Sequence, residues 1–302
     1  MEKVIIIGAG PAGISAALYA VRGNLDPLVI NNGIGALEKA EKIENYYGLE
    51  HPLSGQELYD TGIAQAKALG VRILDAQVLG VVGFDTFVVK TTEGEFETQS
   101  LILATGSKRA APKIPGVKEF EGKGVSYCAI CDAFFYRGKD VAVLGNGDFA
   151  MHEAKELSNT ASTVTIYTNG EEPEFAPEEN ISVNTMKIQS VEGDDLVSGI
   201  RLAPDMQAEE INAEAGQQAN DFCPAEGVFI AMGTAGSTEI ARQMGAELTE
   251  KGNIKVNENM ETTIPGLYAA GDCTGGLLQV AKAVYEGAQA GINAGKYVRS
   301  LK

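Results

Sequence analysis

Val4-Ile5-Ile6-Ile7-Gly8-Ala9-Gly10-Pro11-Ala12-Gly13 joins a short apolar run directly to a glycine-rich turn. Four consecutive aliphatic residues suit a central parallel strand covered on both faces. Gly8 allows a tight turn, Gly10 lets the backbone approach a pyrophosphate, and Gly13 lets a following helix pack closely on the strand. A helix starting at Pro11 and Ala12 would turn its N–H groups and positive dipole end towards an anion. A second apolar run, Pro27 to Ile30, closes a βαβ unit. Gly8, Gly10, Pro11, Ala12 and Gly13 are therefore candidate dinucleotide-binding residues. An acidic ribose partner is expected at the end of the second strand, where Asn31 and Asn32 stand instead. Asn31 can still hydrogen-bond a ribose hydroxyl.

The same grammar recurs later. Val141-Ala142-Val143-Leu144 leads into Gly145-Asn146-Gly147-Asp148-Phe149-Ala150 and a helix to about Leu157, and Val164-Thr165-Ile166 completes a second βαβ unit. The chain returns at Leu267-Tyr268-Ala269-Ala270-Gly271-Asp272 and ends in a long helix over about 279–298. The expected fold is α/β, with two Rossmann-like dinucleotide-binding domains and the second inserted into the first. The first would take 1–111 and 239–302, and the inserted one 112–238. Residues 108–116 and 233–237 read as the linkers between them. Within the first domain, Ser54 and Glu57 form a capping box for a helix running towards Leu69, with Gly70 as its stop.

Bulk properties agree. A chain of 302 residues suits two domains, and 44% hydrophobic with 22% charged residues is an ordinary globular composition. The net charge of -17 argues against nucleic acid and anionic membrane surfaces as partners. Four cysteines do not make a disulfide scaffold, so a cytoplasmic setting is expected.

Between the two glycine loops lies Cys128-Ala129-Ile130-Cys131-Asp132. Two thiols at this spacing can be a redox pair, half a zinc site or two buried cysteines. A zinc site usually needs a second ligand pair, and neither Cys223, Cys273, His51 nor His152 supplies one at ligand spacing, so no metal is expected. A nucleotide loop on either side favours a redox pair fed by a bound electron carrier.

Gly8 to Gly13, Ile43-Glu44-Asn45-Tyr46-Tyr47-Gly48, Ala104-Thr105-Gly106-Ser107, the C-x-x-C-Asp and Tyr268-Ala269-Ala270-Gly271-Asp272 occur in this order. Together they resemble the low-molecular-weight thioredoxin reductases over essentially the whole chain. The resemblance implies an FAD-dependent, usually homodimeric enzyme that reduces the disulfide of thioredoxin or a similar small redox protein. It implies that the first loop, Asn31, Thr105, Gly106, Gly271 and Asp272 bind FAD, with Asp272 on the ribitol chain and Asn45, Gln279 and Val280 near the isoalloxazine. It also implies roles for the thiols: Cys131 towards the flavin, Cys128 as the exchange thiolate, and Asp132 as the acid that protonates a leaving thiolate.

NADPH is doubtful as the donor. Where the family carries an HRRxxxR-like clamp for the 2′-phosphate, this chain reads Thr168-Asn169-Gly170-Glu171-Glu172-Pro173-Glu174. Carboxylates there would repel a phosphate. Asn146 and Phe149 are bulkier than usual in the second loop and would crowd a dinucleotide. From Glu171 to Asp221 there are 13 acids against Lys187 and Arg201 alone. Phe134-Phe135-Tyr136 and Gln279-Val280-Ala281-Lys282-Ala283-Val284 look like the branch that takes electrons from reduced ferredoxin or a deazaflavin. NADH, which carries no 2′-phosphate, stays open as a donor. Residues 108–139 hold seven bases against three acids, a patch suited to an acidic protein partner or to an ordinary solvated face. Competing readings are a dithiol oxidase acting on a small molecule and a flavin-binding redox sensor.

Cys131→Ser should leave FAD bound and stop electron flow to the disulfide, read as loss of thioredoxin reduction with an unchanged flavin content. A long-wavelength charge-transfer band is expected in Cys128→Ser, and finding it only in Cys131→Ser would reverse the two thiol roles.

Overall fold

A computed structural model describes residues 1–106, 112–127, 129–204, 221–232 and 236–301. The chain divides into two compact units, Met1–Arg109 with Ala235–Lys302, and Ala110–Thr234. Of the two expected linkers, residues 108–111 and 233–235 lie outside the described residues. No helix among the described residues is long and apolar enough to cross a membrane.

The first unit starts with the expected strand, turn and helix: β1 (Glu2–Ile7), α1 (Pro11–Arg22) and β2 (Leu28–Asn31). α2 (Gly55–Ala68) follows, then β3 (Arg72–Asp75), β4 (Val78–Val82), β5 (Phe87–Thr91) and β6 (Gly94–Leu103). The sheet runs β3-β2-β1-β6-β5-β4. β6 serves two partnerships. Its first half pairs antiparallel with β5, whereas Leu101–Leu103 sits between β1 and the strand Leu267–Ala269, both parallel to it. That inner half is fully buried, as two covered faces require.

Local signals in the sequence are realised in this unit. Ser54 Oγ accepts the Glu57 amide at 3.2 Å while a Glu57 carboxylate oxygen accepts the Ser54 amide at 2.7 Å, a reciprocal cap. Gly70, just past the C-cap Leu69, has φ +80°, a conformation in which only glycine is unstrained.

The core of this unit is built on small residues. Ala16, Ala17 and Ala20 of α1 and Ala290 and Ala294 of the long helix Val280–Ser300 are all buried. Two glycines of the long helix lie against the α1 backbone: a Cβ on Gly287 would stand 2.0 Å from Ala12 O, and one on Gly291 2.2 Å from Ala16 O.

The second unit holds β7 (Val125–Ser126), α3 (Ala129–Asp132), β8 (Asp140–Leu144), α4 (Asp148–Ser158) and β9 (Thr163–Tyr167). Then come β10 (Ser182–Asn184), β11 (Ile188–Gly193), β12 (Val197–Leu202), β13 (Phe222–Pro224) and β14 (Gly227–Ile230). Its parallel sheet runs β10-β9-β8-β14-β7, and β11-β12-β13 form a separate antiparallel sheet. Ala142, Leu144, Val228 and Ile230 of the first sheet and Val191 and Ile200 of the second meet in one core. Both units thus carry the parallel α/β sheet expected from the sequence. In each, strand order reverses beside the first strand of the βαβ unit, and there the glycine loop sits.

Gly287→Ala is expected to destabilise the protein. The added methyl would meet backbone, which no rotamer change relieves, and overpacking of this kind costs about 1–3 kcal/mol, more than the ~1 kcal/mol gained in helix propensity. Gly62→Ala on α2, where the methyl would meet only an Ile14 side chain at 3.7 Å, should instead raise stability. Urea unfolding of the two variants checks the opposite signs.

Candidate functional site

The first glycine loop has a shape set by backbone contacts. Gly8 has φ +108°, and a Cβ on it would stand 2.4 Å from Ala104 O. A Cβ on Gly13 would stand 1.8 Å from Gly8 O, so α1 seats directly on the turn. Gly10 is the N-cap of α1, Pro11 opens the helix, and no side chain caps its end. A Cβ on Gly10 would have no neighbour within 4 Å. The N-terminal end of α1 therefore faces open space, the arrangement that suits a pyrophosphate.

At the end of β2, Asn31 is engaged on both sides. Its Nδ2 donates to Asp75 Oδ1 at 2.6 Å, and its Oδ1 accepts from the Tyr59 hydroxyl at 2.8 Å. Asp75 is at the end of β3, in register with Asn31. The neighbouring strand thus brings a carboxylate next to the position where the sequence lacks one. Reading residues one strand at a time could not find it.

The turn at Gly271 is held from below by the long helix. Lys282 Nζ donates to Gly271 O and Thr274 Oγ1, each at 2.8 Å, and to Gly275 O. It lies 3.0 Å from Glu286 Oε2, which also accepts from the Gly271 amide at 2.8 Å. Both side chains of this pair are mostly buried. Asp272 is half-buried. Burial raises its pKa above the ordinary 3.8, the Lys282 ammonium works in the opposite direction, and the Glu286 carboxylate adds to the rise. Nearby, Asn45 Nδ2 donates to Gln279 Oε1 at 2.9 Å, so the structure brings together two candidates 234 residues apart. Gln279 is the N-cap of the long helix and Val280 its first residue. Thr105 is tied to Ser237 by reciprocal hydrogen bonds of 2.8–3.0 Å, and Gly106 has φ +87°.

In the second unit, Cys128 lies outside the described residues, and Cys131 is placed only as part of α3. Around them the surroundings are defined. Ser126 Oγ donates to Asp132 Oδ2 at 2.6 Å. Glu153 of α4, 1% exposed, accepts the Ala129 amide on Oε2 at 2.6 Å. Phe134 and Phe135 are 75% and 69% exposed and meet edge to face. Lys113, Lys118, Lys123 and Arg137 are exposed, and Lys108 and Arg109 lie outside the described residues.

A carboxylate stands beside the second glycine loop, whereas a Cβ on Gly10 of the first would meet nothing. Gly145 is as constrained as Gly8, with a would-be Cβ 2.3 Å from Ala231 O. Phe149 does not crowd the loop from solvent, because it is buried, 3% exposed. Glu174, itself exposed, lies alongside the loop. Its amide donates to Asn146 O at 2.7 Å, and its carboxylate oxygen would stand 3.9 Å from a Cβ on Gly147. Cys273 is fully buried with its thiol 3.3 Å from Ala270 O, and burial pushes its pKa up to about 12. A thiol so protonated is inert.

Comparison with known proteins places these features in a lineage. The family described as pyridine nucleotide-disulphide oxidoreductase matches residues 2–287. This chain belongs to that family. Among its relatives is the thioredoxin reductase of Aquifex aeolicus, 37% identical over 89% of this chain and 84% of that protein. That of Listeria monocytogenes is 33% identical over 99% and 94%. The solved structure of the atypical thioredoxin reductase TRi from Desulfovibrio vulgaris Hildenborough superposes with a TM-score of 0.88 at 38% identity, covering 99% of both chains. A ferredoxin-flavin thioredoxin reductase from Clostridium acetobutylicum gives 0.69 at 29% identity, covering 99% and 98%. The resemblance to the low-molecular-weight thioredoxin reductases therefore holds, and the chain is an oxidoreductase of that family.

The raised pKa of Asp272 has a consequence for the ligand-free protein. An acid whose pKa is higher folded than unfolded binds more protons when folded, so stability falls as pH rises through the interval above 3.8 and stays lower beyond it. Asp272→Asn should therefore stabilise the ligand-free protein at pH 7, and the gain should vanish near pH 3, as chemical denaturation at the two pH values would show.

Proposed function

We propose that the protein is an FAD-dependent disulfide reductase that reduces thioredoxin or a similar small redox protein through Cys128 and Cys131, with electrons from a donor other than NADPH. The contrast between the two glycine loops carries the donor assignment. Two loops of one design occur in one chain; a Cβ on Gly10 of the first would meet nothing within 4 Å, and one on Gly147 of the second would have the Glu174 carboxylate 3.9 Å away. A pyrophosphate entering the second loop would meet a carboxylate where it needs amides, and Glu171 and Glu172 stand where a 2′-phosphate needs arginines. Reduced ferredoxin, named for the Clostridium acetobutylicum relative, is the donor class we favour, with a deazaflavin or NADH as the other candidates.

The first unit fits FAD. Gly8, Gly10, Pro11, Ala12 and Gly13 would receive the pyrophosphate, Asn31 with Asp75 the adenosine ribose, and Asp272 the ribitol chain. Gly271, Thr105 and Gly106 would line the site, and Asn45, Gln279 and Val280 would border the isoalloxazine. When bound, FAD supplies a two-electron carrier. A helix start at Gln279 and Val280 favours negative charge beside it.

The rest is chemistry of the chain itself. The Cys128 thiolate attacks one sulfur of the partner disulfide, forming a mixed disulfide and releasing the other sulfur as a thiolate. Asp132, which accepts from the Ser126 hydroxyl, would protonate that leaving group. Cys131 then attacks the Cys128 sulfur, closes the internal disulfide and frees the second partner thiol. The partner gains two electrons and two protons. The exposed pair Phe134 and Phe135, directly after the motif, with the exposed bases of residues 113–137, favours a protein over a small dithiol as that partner.

Anaerobic titration of the oxidised protein tests the donor. Reduced ferredoxin is expected to bleach the flavin, and NADPH at equal concentration to leave it oxidised. Bleaching by substoichiometric NADPH would overturn the assignment.

A further inference from the structure

One ammonium in the first unit stands where a helix does not favour it. Lys282 lies in the first turn of the long helix, at the end whose dipole disfavours a cation. Its partner Glu286 follows it by four residues, the weaker order for such a pair. The Lys282 side chain is only 16% exposed, so it has given up most of its hydration. Four oxygens converge on its Nζ instead: Gly271 O and Thr274 Oγ1 at 2.8 Å, Gly275 O, and Glu286 Oε2 at 3.0 Å. Without a cation among them these oxygens would repel one another. Lys282 thus fills a cation site made by a turn of the same chain.

We propose that Lys282 is a positioning residue for the flavin cofactor: its ammonium is a tethered cation that holds the 271–275 turn in the form that presents Asp272 to the ribitol chain. This rests on the reading of the first unit as an FAD site. Three observations support it. The bonds land on both sides of Asp272, at Gly271 and at Thr274 and Gly275, so they fix the backbone that carries it. Gly271 and Gly275 have φ +84° and +80°, and glycines in such a turn lose more freedom on ordering than any other residue. Glu286 completes the arrangement by accepting from the Gly271 amide at 2.8 Å and the Thr274 hydroxyl at 2.9 Å. Holding the turn in advance lowers the ordering cost of binding, and the difference appears as affinity.

The test is chemical rescue of cofactor binding. The whole chain, stripped of bound nucleotide, is titrated with FAD and with ADP by calorimetry. Lys282→Ala removes the part of the side chain that propylammonium chloride can replace. Its dissociation constant for FAD should rise about tenfold or more, the loss expected for bonds from a charged donor. ADP, which lacks the ribitol and the flavin, should bind as it does to the wild type. Propylammonium should recover most of the FAD affinity, and tetramethylammonium, which has the same charge and no N–H to donate, should recover none. Lys282→Met/Glu286→Gln leaves no unpaired buried charge and serves where Lys282→Ala fails to fold; it should show the same split between FAD and ADP. Wild-type FAD affinity in either variant overturns the proposal. So does a parallel loss of FAD and ADP binding, or equal recovery with tetramethylammonium. Failure of the underlying reading is a separate result: the wild-type chain would then bind no FAD, and the proposal would fall with it.

Discussion

The first unit depends on how closely backbones approach one another around residues 8–13. Gly8 admits the carbonyl of Ala104, Gly13 admits the carbonyl of Gly8, and Gly287 admits the carbonyl of Ala12. Side chains at any of these positions would force strand, turn and helices apart. Because they are absent, β1, α1, β6 and the long helix converge on one turn. The dipole end of α1 is then aimed at open space beside Gly10. Side-chain packing elsewhere in the unit, dominated by alanine on the facing helices, follows from this spacing.

Much of this was legible in the sequence, for physical reasons that differ by element. The apolar run Val4 to Ile7 and the following glycines encode local backbone demands, and so do Ser54, Glu57 and Gly70. Such demands act within a few residues and appear as patterns. Asp75 beside Asn31, and Asn45 beside Gln279, depend on register across strands or on contacts more than 200 residues apart. No local pattern reports them. Glu153 was hidden differently: on α4 it reads as one more polar helix residue, and only its burial and its bond to Ala129 set it apart. The run of acids after β9 was visible as charge. That Glu174 in particular lies beside the second loop required the fold of residues 168–174.

Carboxylates do opposite things in the two units. In the first, Glu286 is paired with Lys282, and Asp75 accepts from Asn31, which in turn accepts from Tyr59. In the second, Glu174 stands beside a phosphate-type loop, and Glu153 accepts the Ala129 amide. One chain thus reuses a single βαβ design, with open space beside the loop in one copy and a carboxylate beside it in the other.

The Lys282 ammonium saturates the carbonyls of Gly271 and Gly275 and the hydroxyl of Thr274 without help from any ligand. The turn that bears Asp272 is therefore tied to the long helix by the chain's own groups. Binding then removes little conformational freedom from this part of the chain, and its heat-capacity change should reflect the surface covered on docking, with little contribution from coupled folding. Cofactor capture by this unit is in that sense closer to the closing of a preformed mould than to the folding of a loop around its guest.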